Sequence, residues 1–217
     1  MNIKPSPSDD ARRSLHLFAY DITDNKRRRQ ALKCLQHWRL NGQYSVHEAN
    51  LLPHQARDLT IELLDILHPR RDRFLTCRLS QRGHGAIQIL ARPRHRNLLT
   101  QHHSRTAPRQ PADGCYLLAY DIPDTPRLLQ IQRRVIRDTV NLQRSVYLFQ
   151  GDGPQLQRLL DDLQDELQPD DDLRLYRLGK PTDLWFLAGA PPPLGNLVSQ
   201  SRRHWQHRRA APAGAHP

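Results

Sequence analysis

Two aspartates occupy matching places in this chain. Asp21 closes the run Leu17-Phe18-Ala19-Tyr20, and Asp121 closes Leu117-Leu118-Ala119-Tyr120. Each is followed by isoleucine and, three positions on, by a second aspartate, Asp24 or Asp124. A carboxylate at the end of an apolar strand lies outside the core, at the mouth of the sheet. Two such groups brought near a twofold axis repel each other and prefer a shared cation. Mg²⁺ takes oxygen ligands and keeps several waters, so two carboxylates plus a substrate phosphate suffice to hold it. That set is the least equipment for metal-assisted phosphodiester hydrolysis. The competing role is structural, since an aspartate after a strand can simply hold the turn that follows. The duplication favours chemistry for Asp21 and Asp121, whereas Asp24 and Asp124 read as helix caps with a metal role second.

The duplication extends further along the chain. Gln43-Tyr44-Ser45-Val46-His47 returns as Gln143-Arg144-Ser145-Val146-Tyr147, at the same offset of 100 residues. Two motifs holding one offset mean two copies of one small domain in tandem. Whatever one copy does as a symmetric dimer, this chain of 217 residues can do alone.

The elements that must position these residues follow from the apolar pattern. Residues 15–22 and 115–122 are short, nearly continuous apolar runs, read as buried strands. A helix follows each, with Ala31, Cys34, Leu35 and Trp38 on one face in the first copy and Leu128, Ile131 and Val135 in the second. Asn41-Gly42 is expected to end the first of these helices. Residues 43–51 and 143–149 are strand regions, the former expected to hold two short strands around a tight turn. Pro53 opens a second helix carrying Ala56, Leu59, Leu63 and Ile66, and its counterpart carries Leu156, Leu159, Leu160, Leu163 and Leu167. Residues 73–79 and 173–178 are further strands, and 85–91 and 184–188 supply one extra strand per copy. The order is strand–helix–strand–strand–helix–strand plus a terminal strand, an α+β fold of two tandem ferredoxin-like domains. The helices cover one face of each sheet. The bare faces are satisfied by stacking on each other, which gives a pseudo-dimer with facing sheets, its extra strands at the edges or exchanged between the halves. The expected boundaries are a disordered lead over 1–14, domains over 15–91 and 115–189, a basic linker over 92–114 and a basic disordered tail over 190–217.

The net charge is +11 and the isoelectric point about 10.3, which favours a polyanionic partner. The charge is concentrated. Residues 92–110 hold five arginines and no acid, and no acid follows Asp183. Lys26, Arg27, Arg28 and Arg29 open the first helix beside Asp21, and Arg127, Arg133, Arg134 and Arg137 lie on its counterpart. They read as phosphate contacts along a nucleic-acid backbone, against the alternative of a solvated helix face. Arg202, Arg203, Trp205, Arg208 and Arg209 in the tail are candidates for flexible contacts or partner docking. Three cysteines without a Cys-x-x-Cys spacing suggest neither a disulfide frame nor a zinc site and suit a reducing cytoplasm. No apolar stretch has signal-peptide or membrane-spanning character.

Tyr20-Asp21-Ile22-x-Asp24 with Lys26-Arg27-Arg28, then Gln43-Tyr44-Ser45-Val46, strongly resembles the small CRISPR-associated protein family Cas-two (Cas2). The second half is similar through Tyr120-Asp121-Ile122-x-Asp124-x-x-Arg127 and Gln143-Arg144-Ser145-Val146-Tyr147. The resemblance covers about 15–91 and 115–189. It implies a ferredoxin-like fold that dimerises through its sheets, with a terminal strand that pairs with the partner. It also implies a central place in the spacer-acquisition complex of antiviral defence, beside the Cas-one (Cas1) integrase on duplex DNA. Some members act as Mg²⁺-dependent endonucleases on RNA or DNA, and on that analogy Asp21 and Asp121 take the catalytic and metal position. The family is usually one copy per chain, so this is a fused tandem form. The aromatic after Ser-Val is His47 in one copy and Tyr147 in the other. His47 is open to two readings, a general base or a satisfied half-buried histidine. The expected function is a DNA-binding scaffold that bridges the integrase. The alternatives are a metal-dependent endonuclease and a toxin-like ribonuclease of the virulence-associated protein D type, which shares the fold.

Overall fold

The computed structural model describes residues 13–43, 45–79, 87–91, 113–178 and 184–187. The first half runs β1 (Ser14–Asp21), α1 (Asn25–Gln36), β2 (Arg39–Gly42), β3 (Val46–Leu51), α2 (Pro53–Ile66), β4 (Arg73–Arg78) and β5 (Ile87–Ala91). The second runs β6 (Gly114–Asp121), α3 (Thr125–Asp138), β7 (Thr139–Gln143), β8 (Val146–Gly151), α4 (Gly153–Gln164), β9 (Asp172–Arg177) and β10 (Leu184–Leu187). Every strand pair is antiparallel, and the sheet orders are β10-β4-β1-β3-β2 and β5-β9-β6-β8-β7. Each half is therefore ferredoxin-like, in an α+β fold, as its sequence pattern requires.

The extra strands cross over. β10, from the second half, pairs with β4, from Leu184 opposite Cys77 to Leu187 opposite Phe74. β5, from the first half, pairs with β9. Between the two sheets Leu79 makes a backbone bridge to Leu178. These two residues are equivalent in the repeat, so the bridge marks a pseudo-twofold relation between the halves.

Strand periodicity explains the burial. Leu17 and Ala19 of β1 face a core shared by both halves, while Phe18 and Tyr20 face the helices of their own half. Leu117 and Ala119 of β6 repeat the first pattern, and Leu118 and Tyr120 the second. Val46, Leu75 and Cys77 meet Val146, Leu148 and Tyr176 in the shared core, so the two sheets stack face to face. Cys77 and Cys115 are buried packing residues there, without a disulfide.

The helix starts follow their cap residues. Asp24 and Asp124 accept from the backbone N–H groups of Arg27 and Arg127 at 2.8 Å each, which settles both as N-caps. Asp152 caps α4 in the same way, and Gln155 reaches back to the Asp152 N–H. One expected stop was misplaced. The first helix ends at Gln36, and Asn41-Gly42 belongs to β2. Pairing of Arg39 with Ala49 and of Gly42 with His47 overrides the helical pattern that Trp38 continues. Gly42 is needed there because its φ is +154° and a Cβ would stand 2.2 Å from the Val46 carbonyl oxygen. The expected lead, linker and tail, including Arg202, Arg203, Trp205, Arg208 and Arg209, lie outside the described residues except for positions 13–14 and 113–114. Tyr44 lies outside them too.

Candidate nucleic-acid interface

The two strand-end aspartates stand in different surroundings. Asp21 is half-buried and lines a cleft of about 580 Å³ with Arg71 and Arg73 of its own half. The far wall comes from the second half through Gln132, Ile136, Thr139, Asn141, Arg144 and Tyr147. Asp121 is exposed and does not line that cleft. Opposite Asp21 in the ladder is Arg73, whereas opposite Asp121 is Asp172. One aspartate thus has a cationic cross-strand neighbour and the other an anionic one.

This donor set fits a resident Mg²⁺ poorly. The cleft offers one carboxylate among three guanidiniums, and the described residues contain no cluster of three metal-ligating side chains. Three cations repel a divalent ion and attract a phosphate. The one general-base candidate is also sequestered. His47 is fully buried, stacked on Tyr20 at 5.3 Å between ring centres, with Nε2 3.3 Å from the Tyr20 hydroxyl. Burial, aided by the charge of Arg39, lowers its pKa to about 3, so it is neutral near pH 7. In the second half Tyr120 and Tyr147 take these places with their hydroxyls 3.1 Å apart.

The basic residues divide into those that hold the fold and those that face outward. Arg27 grips the fully buried Asp72 with Nε at 2.8 Å and Nη2 at 3.3 Å. Arg127 grips the buried Asp171 at 2.7 and 3.0 Å. The arginine of the repeated motif is therefore a fork that pins the loop before β4 or β9 to the start of α1 or α3. Arg134 pairs with Glu166 at 2.5 Å, and Arg28 reaches Asn25 at 2.5 Å. Lys26, Arg29, Arg133 and Arg137 are exposed. Sequence reasoning missed Arg71, Arg73 and Arg144, which are exposed as well and surround Asp21. The signal for Arg144 was its place inside the repeated Gln-x-Ser-Val motif.

Asp72 has a consequence for pH. Burial alone would raise its carboxyl, but the Arg27 fork and the His68 N–H at 2.9 Å outweigh this and hold its pKa below 3.8. A carboxylate depressed in the folded state stabilises fully above its unfolded pKa and loses that contribution as pH falls through the folded value. Asp72→Asn is expected to lower the melting temperature at neutral pH. It should also flatten the drop that the wild type shows below about pH 4. Melting curves from pH 2 to 7 check this, and parallel curves for the two proteins would mean that the fork carries no pH dependence.

The glutamines of the repeated motif work across the halves. Gln43 donates from Nε2 to the carbonyls of Ala119 at 3.1 Å and Asp172 at 2.9 Å. Gln143 donates to the carbonyl of Ala19 at 3.2 Å. The strand ends that carry Asp21 and Asp121 are thus tied into one seam, each by a glutamine of the opposite half.

A family profile agrees with the tandem architecture. Described as CRISPR associated protein Cas2, it matches twice, over residues 14–86 and 115–184. A CRISPR-associated endoribonuclease Cas2 of Allochromatium vinosum is 46% identical over 87 residues, 40% of this chain and 88% of that protein. A CRISPR-associated endoribonuclease Cas2 of Nitrosomonas europaea is 43% identical over 79 residues, 31% of this chain and 73% of that protein. A crystal structure of a hypothetical protein, TT1823, from Thermus thermophilus is 26% identical. It covers 31% of this chain and 83% of its own, with a TM-score of 0.30.

Proposed function

We propose that this chain, which belongs to the family of CRISPR associated protein Cas2, is a one-chain DNA scaffold for spacer acquisition. It holds the backbone of duplex DNA on its basic surface and presents docking sites for the Cas1 integrase. The observation that supports this is the cross-half seam. Two ferredoxin-like halves stack through their sheets, exchange their terminal strands and leave exposed arginines on either side of a cleft shared by both halves. A duplex carries its charge continuously along both strands, so a surface built from two related halves meets it at repeated intervals.

The test is a salt titration of duplex binding. Changing Lys26, Arg29, Arg133 and Arg137 together to glutamine leaves the Arg27 and Arg127 forks intact and removes four exposed charges. Affinity at physiological salt should fall roughly a hundredfold, alike for unrelated sequences. The slope of log K against log salt should shrink by about 0.9 for each phosphate that is no longer neutralised. Unchanged affinity, or weaker binding of one sequence alone, would show that the surface is misassigned.

The second reading is a nuclease, and it is favoured by the endoribonuclease names of the two bacterial relatives. Asp21 and Asp121 would be its carboxylates and Mg²⁺ its cation. The three arginines around Asp21 rank it below the scaffold.

A further inference from the structure

The shared core of the two halves is not symmetric. Glu48 of β3 points into it and is 2% exposed. Its Oε1 accepts from Arg174 Nη1 at 2.7 Å and from the Tyr176 hydroxyl at 3.0 Å, both on β9 of the other half. Arg174, also 2% exposed, donates from Nε and Nη2 to the two oxygens of Asp172 at 2.7 and 2.5 Å. Gln43 Nε2 reaches the same Asp172 carboxylate at 3.1 Å. These groups form one buried polar chain that runs from the first half to the second and back.

The repeat gives no such chain in the opposite direction. The position equivalent to Glu48 is Leu148, those equivalent to Arg174 and Tyr176 are Leu75 and Cys77, and Asp172 corresponds to Arg73. Leu148, Leu75 and Cys77 are buried in the same shared core. Glu48 thus has no counterpart in the second half, and Arg174 and Tyr176 have none in the first.

We propose that this one-way network is a pairing code. It makes the first half accept the second half as its partner and reject another first half, either from a second copy of the chain or from a homodimeric relative. The argument is one of unmet charge. Two first halves stacked in this geometry would bring each Glu48 against Leu75 and Cys77. That takes from each carboxylate the Arg174 guanidinium and the Tyr176 hydroxyl that hold it, and puts Arg73 where Asp172 stands. Taking one partner out of a buried ion pair costs far more than exchanging apolar contacts of similar volume, which makes such a pair an instrument of specificity. Two second halves keep each Arg174 on its own Asp172 but strand one guanidinium N–H and the Tyr176 hydroxyl against Leu148. Both wrong pairings lose these hydrogen bonds. In a tandem chain the need is concrete. Two chains could otherwise pair first half to first half and second half to second half, giving linked chains instead of closed pseudo-dimers. The link between the halves raises their effective concentration, and the network adds chemical selection to it. This inference stands apart from the DNA-scaffold reading, since it concerns only which halves meet.

The experiment places a specific protease site between residues 100 and 105 of the full chain. The folded protein is cut, unfolded in denaturant and refolded, and native mass spectrometry counts the three possible fragment pairs. Wild type is expected to return almost entirely to the mixed pair. The triple variant Glu48→Leu, Asp172→Asn, Arg174→Leu, whose core is near neutral, should move toward the statistical one-to-two-to-one distribution. Should it refold poorly, Glu48→Gln keeps the shape and removes the charge. Its like-with-like share should then exceed that of wild type. A wild type that refolds to the statistical mixture overturns the code. So does a triple variant that remains purely mixed, or, where the triple variant fails to refold, a Glu48→Gln distribution equal to wild type.

Discussion

Arg174→Leu is expected to be among the most damaging single changes in the described core, costing about 3–5 kcal/mol of stability. Arg174 is buried, and burial disfavours its charge. The hydrogen bonds of Asp172 and the nearby charges outweigh that and keep it protonated. Removing it leaves Glu48 and Asp172 in the shared core without the cation between them. For a chain of this length each kcal/mol is worth about 2–4 °C in melting temperature, so a fall of roughly 10 °C should be seen. The triple variant that neutralises Glu48 and Asp172 as well should recover most of it, because the members of such a network are not additive. Calorimetry of wild type, single and triple variants decides the matter. A single variant that melts with wild type would show that the network contributes nothing to holding the halves together.

Asp21→Asn with Asp121→Asn separates the scaffold from the nuclease. The amide keeps the shape of the carboxylate and gives up the charge that would hold a divalent cation. Duplex binding is expected to persist, and to tighten slightly, because Arg71, Arg73 and Arg144 would then face the ligand without Asp21 to offset them. Spacer integration with the Cas1 integrase should continue. Any Mg²⁺-dependent cleavage shown by the wild type should disappear. The measurement runs both proteins through integration, cleavage and binding side by side. Loss of integration with intact binding would promote the nuclease to the first reading and the scaffold to the second.

Much of this protein was legible in its sequence. The offset between the two Tyr-Asp-Ile blocks declared the tandem repeat, and nearly continuous apolar runs in strands with a 3.6 period in helices gave the ferredoxin-like order. The bare sheet faces foretold stacking, and Asp24 and Asp124 were readable as caps because a cap acts within its own first turn. The family followed from the same motifs. Apart from the repeat offset, these are local signals, carried by residues only a few positions apart.

What only the tertiary structure decided are meetings between residues far apart in the chain. Arg27 and Arg127 looked like phosphate contacts on a helix face. Each grips a buried aspartate more than 40 positions on, and no spacing rule announces that. Asp21 and Asp121 sit in the same Ala-Tyr-Asp-Ile block, yet Arg73 pairs opposite one and Asp172 opposite the other. Gln43 begins a strand region in the sequence, and its amide ties the opposite half. Glu48 falls within the strand region 43–51, and it is buried against an arginine 126 positions away. Sequence periodicity determines which face of an element is apolar. Which charge meets which across a stacked sheet depends on register, twist and exchange of strands, and those arise only when the whole chain has closed.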